Sequence, residues 1–404
     1  MRVVVLGAGV VGVTTAYYLS RLGCDVTVVD RAPAVGSGAS FGNAGQLSYS
    51  FTDSLAKPGF IAQIPQLILG RSRESRVKLT PDLVRWGMRF VAQCTTRKAR
   101  QNTLAVLDIA LRSADLMAEL RDELDLDFHY RQAGKLVLLS DEAELAGARA
   151  SSELKKERGC ETSILTRREA VDIEPALSDM SEEFVAAVYS EGDDVADSNR
   201  FVSGLQEWLE SRGAAEFRLD SRATGLLTRD GRAYGIATDD DEIEADAVVV
   251  CLGAWSHDLL RSAGINPHIY PVRGYSISLP PGPSAPAVSM TALRYKLVYS
   301  RINGFIRIAG FADFLGFDTA ADDARASALL DSARRIAPQA ADYDSKEQVT
   351  WGGFRPMTPD GRPQVGPTRI DGLYLNTGHG MLGWTLACAT GLEAAQAVAG
   401  SHPA

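Results

Sequence analysis

Short apolar runs separated by glycines open the chain. Val3-Val4-Val5-Leu6 has no polar interruption, the pattern of a strand buried on both faces, and glycines follow at once. The helix-like stretch Val13 to Leu22 is closed by Gly23, and Val26 to Val29 forms a second buried run that ends at Asp30. Strand, helix and strand in this order predict a βαβ beginning. Residues 31–60 are rich in Gly, Ser, Ala and Asn and read as loop. From about 81 to 125 the pattern turns helical: Leu104, Leu107, Leu111, Ala114, Met117, Leu120 and Leu124 recur three or four apart. A strand is expected at Lys135 to Leu139.

A second α/β stretch begins near Asp197, placed to N-cap a helix whose apolar side carries Phe201, Leu205, Trp208 and Leu209. A strand, an Asp230-Gly231 hairpin turn, another strand and the buried run Ala247 to Leu252 follow. Residues 270–312 read as strands with tyrosines and arginines between apolar positions, and Ala321 to Ile336 as a helix stopped by Pro338. The last part holds a glycine- and proline-rich segment, a short strand Leu373 to Leu375 and a helix from about Leu382. With 404 residues and no internal repeat, two domains interleaved in sequence are expected.

Composition narrows the function classes. Apolar residues make up 45% and charged residues 23%, as in an average soluble protein. A net charge of -9 without a basic block argues against nucleic-acid binding. The five cysteines form no CxxC pair, which argues against a zinc site or a dithiol centre and for a reducing compartment. The chain starts on a strand, so no signal peptide is expected, and no apolar run reaches the roughly 18–20 residues of a spanning helix. These features predict a cytoplasmic protein, at most peripheral on the inner face of the plasma membrane. Pro58 to Leu69 is a short apolar cluster flanked by Lys57, Arg71 and Arg73; a buried loop and helix fits it better than a membrane-surface element.

Gly7-Ala8-Gly9-Val10-Val11-Gly12 is a GxGxxG between a strand and a helix, with Asp30 closing the next strand eighteen residues beyond Gly12. In that context it is a dinucleotide fingerprint. Gly7 permits the tight turn, Gly9 lets the backbone approach a pyrophosphate, and Gly12 lets helix and strand pack closely. The helix N-terminus offers N–H groups to the phosphates, and Asp30 accepts from the ribose hydroxyls. The fingerprint fits NAD or FAD equally. No second nucleotide fingerprint and no redox cysteine pair is visible, and the strand Val248 to Trp255 resembles the second FAD motif of large flavoproteins. It departs at Cys251 and Leu252 and keeps Gly253.

Two further segments are more specific. One is Ser40-Phe41-Gly42-Asn43-Ala44-Gly45-Gln46-Leu47; the other runs from Gly352-Gly353-Phe354-Arg355-Pro356 to Asn376-Thr377-Gly378-His379-Gly380-Met381-Leu382-Gly383-Trp384-Thr385. With the glycine-rich start and Tyr270 to Ser276, they resemble the bacterial D-amino acid dehydrogenases, within the D-amino acid oxidase and glycine oxidase superfamily. The resemblance covers essentially the whole length, least clearly between about 60 and 130.

It implies an α/β protein: a glutathione-reductase-type, Rossmann-like FAD-binding domain with an interleaved α+β substrate domain on a mixed sheet. On this sequence the first would take 1–80, 141–268 and 351–404, and the second 81–140 and 269–350. It implies non-covalent FAD, and oxidation of a D-amino acid to an imino acid that water converts to a 2-oxo acid and ammonia. Hydride would pass from Cα to the flavin without a dedicated side-chain base, and the electrons onward to a quinone or another acceptor. D-Proline, 4-hydroxy-D-proline, glycine or sarcosine would suit the same fold. An NAD-linked dehydrogenase would leave the C-terminal signature without purpose.

By resemblance, Arg355 grips the substrate carboxylate, a task its always-charged planar fork suits. Tyr275 and Tyr295, on expected strands, are each able to aim a hydroxyl at that carboxylate or to serve as core. His379 lies where the superfamily uses backbone, which weighs against proton transfer. Gly380, Met381, Leu382 and Gly383, followed by Trp384, would bring backbone N–H groups to the flavin edge. The remaining cofactor contacts are expected from Val10, Val11, Arg31, Ser40, Asn43, Ala44, Gln46, Leu47, Thr224, Gly253, Trp255, Gly353 and Arg355.

Overall fold

In a computed structural model the chain is described over residues 1–400, apart from Glu182 and Ala321. A six-stranded sheet runs in the order Gln364–Pro367, Leu373–Thr377, Ala247–Val250, Arg2–Leu6, Asp25–Val29, Glu216–Arg218. Its neighbours pair in parallel, except for the outermost strand Gln364–Pro367. Val3 and Val5 face the helices Val10–Arg21 and Gly383–Gly400, while Val4 and Leu6 face a second layer with Ile236, Leu259 and Leu260. No residue of Val3 to Leu6 is more than 2% exposed, which explains the unbroken apolar run. Each such side chain contributes about 1.5–3 kcal/mol by burial. The helix starts at Val10, earlier than its apolar period suggests, because Gly12 interrupts that period.

A mixed eight-stranded sheet runs Val349–Met357, Tyr270–Leu279, Phe305–Asp313, Leu297–Ile302, Ser289–Ala292, Lys135–Leu139, Ala186–Ser190, Ser163–Thr166. The helix Asp322–Ile336 covers one face, packing Leu329, Ala333 and Ile336 on Tyr299, Ile306 and Ile308. Ala321, expected to start this helix, lies outside the described residues. Asp197 caps the helix Ser198–Ser211 by accepting from Asn199 and Arg200 N–H. Asp230 and Gly231, both at positive φ, turn the hairpin between Ala223–Arg229 and Arg232–Thr238.

Several expectations need correction. The helical stretch 81–125 is two helices, Pro81–Val91 and Thr96–Glu123, the second capped by the Thr95 hydroxyl. Tyr295 is not on a strand but in the turn Leu293–Tyr295. Sheet membership cuts across the expected segments: Ser163–Thr166, Ala186–Ser190 and Val349–Met357 belong to the eight-stranded sheet. Helix Thr96–Glu123 instead joins the other core through Met117 and Leu120. Pro58–Ile61 and Ile64–Ile68 are short helices in which only Leu67 is buried, whereas Ile61, Ile68 and Leu69 are exposed. Among the described residues no helix is long and apolar enough to cross a membrane.

Candidate active site

The glycine loop is built by contact. Gly7 has φ +107°, and a Cβ there would sit 2.6 Å from the Cys251 carbonyl oxygen. A Cβ on Gly12 would fall 1.8 Å from the Gly7 oxygen, so Gly12 acts in packing rather than on the cleft wall. The N–H of Val10 goes to Ser40 Oγ at 2.9 Å. Ser40 therefore caps the helix, and the free donors of the first turn begin after Val10. Asp30 accepts from Ala8 N–H at 2.7 Å and Ala32 N–H at 2.8 Å, one on each oxygen, which fixes the carboxylate at the strand end. The Arg31 guanidinium lies 3.9 Å from the Trp255 ring, which stacks on Phe317 at 4.2 Å.

A cleft of about 1880 Å³ runs from this loop across the uncovered face of the eight-stranded sheet. Gly7, Gly9, Val10, Val11, Asp30, Arg31, Ser40, Asn43, Ala44, Gln46, Thr224, Gly253, Trp255, Gly353, Arg355 and Gly380 to Trp384 all line it. The chain from Gly42 onward crosses the strands in turn. Ser276 Oγ donates to the Gly42 carbonyl at 2.7 Å, Gln46 Nε2 to Ser289 Oγ, and Lys135 Nζ to Ser48 Oγ at 2.7 Å. Leu47, expected at the cofactor, is fully buried in the core. Asn43 spends its amide on Gly45 N–H and Ser198 Oγ, so it shapes the loop. Thr224 donates to the Ala237 carbonyl. Gly380 N–H is bonded to the Pro356 carbonyl and Leu382 N–H to that of His379. Among the described residues this leaves Met381 and Gly383 as donors in that run.

Arg355 reaches from the edge strand into the cleft and donates through Nη1 to the Phe311 carbonyl at 2.7 Å. Gly274 makes room, since a Cβ there would lie 2.5 Å from the Arg355 Cζ. Burial pushes the guanidinium pKa down, and Asp313 and Tyr275 push back. One bond to Phe311 leaves most of its five donors for a ligand. The Tyr275 hydroxyl is committed to Asp313, 3.1 Å away, and that carboxylate also takes both arms of Arg325 at 2.8 Å. Tyr295 packs against the core under the helix Asp322–Ile336, away from the cleft wall. His379 is 4% exposed, its Nε2 lies 3.0 Å from Thr390 Oγ1, and burial pushes its pKa down to about 3. It is a neutral imidazole at physiological pH.

Three cleft lysines were missed in the sequence: Lys135, Lys296 and Lys155, the last paired with Asp53. Lys135 opens a strand that reads as plain core. Lys296 sits in the turn after Tyr295 and donates to Ser75 Oγ at 3.0 Å; burial pushes its pKa down. One signal was available: Ser48, Ser50, Thr52 and Ser54 alternate with other residues, a period-two polar stripe, and all four line the cleft.

A family model described as FAD dependent oxidoreductase (DAO) matches residues 2–397. The chain belongs to this FAD-dependent oxidoreductase family. Within the family's relatives, "D-amino acid dehydrogenase 2" of Ralstonia nicotianae is 40% identical, over 100% of this chain and 98% of that one. The D-amino acid dehydrogenase of Dechloromonas aromatica is 36% identical over the same shares. Among solved structures, L-proline dehydrogenase from P. horikoshii has a TM-score of 0.76 at 21% identity, covering 99% of this chain and 93% of that one. Glycine oxidase from Geobacillus kaustophilus has 0.74 at 23%, covering 98% and 94%. These two share the oxidoreductase's fold.

The residues fit FAD. The turn at Gly7 and the anchored Asp30 meet a dinucleotide's needs, and the cleft extends well beyond them toward the sheet. Among the described residues, Asn376 Oδ1 and Trp384 Nε1 are buried without a hydrogen-bond partner and belong to residues of the cleft wall.

Proposed function

We propose that this FAD-dependent oxidoreductase oxidises D-amino acids to imino acids, which water converts to 2-oxo acids and ammonia. The observation that carries the reading is the Arg355 guanidinium: half-buried, held at one corner by Phe311, and open to the cleft for a carboxylate. The full-length match to relatives named D-amino acid dehydrogenase supports the substrate class. The unit around the six-stranded sheet holds FAD, and the open face of the eight-stranded sheet forms the substrate wall.

Bound FAD supplies the hydride acceptor. Arg355 binds the substrate carboxylate through two parallel hydrogen bonds and so orients Cα. Met381 and Gly383 N–H, at the start of the C-terminal helix, would offer hydrogen bonds to the bound cofactor where charge develops. His379 stays neutral and takes no proton. The cofactor is held without a covalent bond: Cys251 and Cys388 are buried and their thiols are pushed up to about 12.

The electrons pass to a quinone at a membrane surface. Ile61, Ile68, Leu69, Leu79, Val84 and Met88 are exposed on neighbouring segments, and Leu69 and Met88 exceed 60% exposure (64% and 62%). Residues 55–91 carry seven Lys and Arg against two carboxylates in a chain of net charge -9. An apolar face with a basic rim suits an acidic lipid surface. The protein should sediment with acidic liposomes and Ile68→Glu should release it; a wild type that stays in solution ends this part of the reading. For the substrate, dye-linked turnover is measured with D- and L-amino acids, D-proline, both hydroxyproline epimers, glycine and sarcosine. Turnover of several D-amino acids is expected, and turnover confined to L-amino acids or to glycine and sarcosine refutes the assignment.

A further inference from the structure

Among the described residues, Lys135 is a further cation of the cleft wall with no anion in contact. Lys135 is 2% exposed, and its ammonium meets Ser48 Oγ at 2.7 Å and the Phe51 ring at 4.2 Å. Among the described residues it forms no ion pair. Of the neighbouring charges, Lys155 pairs with Asp53 and donates to the Ser50 carbonyl at 2.8 Å, while Asp193 takes the Ser50 N–H and hydroxyl at 2.9 Å and acts on Lys135 without touching it. An ammonium has three donors, so two remain for the cleft. Burial pushes its pKa down to about 8, with Asp193 and Asp53 pushing up and Lys155 down. A buried charge whose nearest carboxylates act without contact is costly to keep. A ligand that brings negative charge removes that cost.

The hydrogen bonds say where that charge would be. Ser48, which accepts from Lys135, donates its own N–H to Thr385 Oγ1 at 3.0 Å. Thr385 is in the first turn of the helix Gly383–Gly400, whose N-terminus is the positive end of its dipole. Gln46, bonded to Ser289 across from Lys135 in the sheet, completes the wall. Two positive features thus converge on one edge of the cleft. They come from a strand and a helix some 250 residues apart in sequence.

We propose that Lys135 stabilises the negative charge that reduction places on the helix-side edge of the flavin, and so raises the cofactor's reduction potential. The proposal rests on the assignment of the ring to this part of the cleft, and it is independent of which amino acid is oxidised.

The test uses the holoenzyme and needs no substrate. Lys135→Met should lower the two-electron midpoint potential by about 30 mV or more, the equivalent of a tenfold change in equilibrium constant. Sulfite, an anion that adds to oxidised flavin, should bind at least tenfold more weakly. Lys135→Arg should keep most of both values. If Met at this position prevents folding, Lys135→Gln removes the charge while keeping a hydrogen bond to Ser48, and the same shifts are expected. A neutral variant with bound FAD and the wild-type potential and sulfite affinity overturns the proposal. A wild type without flavin would overturn the underlying assignment of the cleft instead.

Discussion

The two ends of the cleft are made in different ways. At the glycine loop, residues 7 to 30 supply turn, helix start and carboxylate from one continuous stretch, and even the outside contributions, Cys251 and Ser40, act by fixing its backbone. At the sheet face, Arg355, Phe311, Gly274, Lys296 and Lys135 come from five separate segments and line one cleft only because the strands pair in the order they do. The first end depends on local sterics, so single atoms decide it. The second depends on side chains that stand on a formed sheet, so its residues can be changed one function at a time.

That contrast sets the order of effects. Gly12→Ala should be the most damaging change, because its Cβ would occupy the Gly7 carbonyl oxygen. The purified protein should carry no flavin or be insoluble, and near-stoichiometric FAD in that variant would break the comparison. Arg355→Ala should retain the flavin spectrum while kcat/KM falls by a factor equivalent to about 2–5 kcal/mol, chiefly through KM. An unchanged KM would show that another group anchors the carboxylate.

A smaller effect is expected on the acid side. The folded-state pKa of His379 is depressed to about 3 against an ordinary 6.5. Its contribution to stability is therefore complete above pH 6.5 and is lost as pH falls toward 3. By linkage this amounts to about 2 kcal/mol between pH 7 and pH 5. His379→Gln should flatten the loss in denaturant titrations over that range. The same variant should leave the pH profile of kcat between 6 and 9 unchanged; disappearance of an ionisation there would assign His379 a proton-transfer role. The mildest change should be Tyr275→Phe, which removes one hydrogen bond to a carboxylate already held by Arg325. A stability loss of about 1–2 kcal/mol with KM within twofold is expected. A KM rise comparable to that of Arg355→Ala would place the hydroxyl on the substrate.

The same contrast explains what the sequence disclosed. Val3 to Leu6, Gly7 to Gly12, Asp30 and the Asp197 cap are legible because each is a local rule of turn, cap or burial. Gly274 as the space for Arg355, or Ser40 as the cap on Val10, needs contacts across 81 and 30 positions that no spacing encodes. Asn43 and Tyr275 sit in recognisable motifs, yet their polar atoms are spent on Ser198 and Asp313. Lys135 was hidden by its company, since a strand of Leu and Val reads as core. The apolar cluster at Pro58 to Leu69 misled in the other direction, because apolar composition alone does not say which face is covered.

An anaerobic titration of the purified yellow protein with D- and L-alanine, watched by flavin absorbance in the wild type and in Arg355→Ala, tests the substrate and its anchor together. D-Alanine is expected to bleach the wild type at about one equivalent and L-alanine to leave it yellow, while Arg355→Ala bleaches only at far higher D-alanine. Bleaching by L-alanine alone, or equal sensitivity of the variant and the wild type, would contradict that expectation.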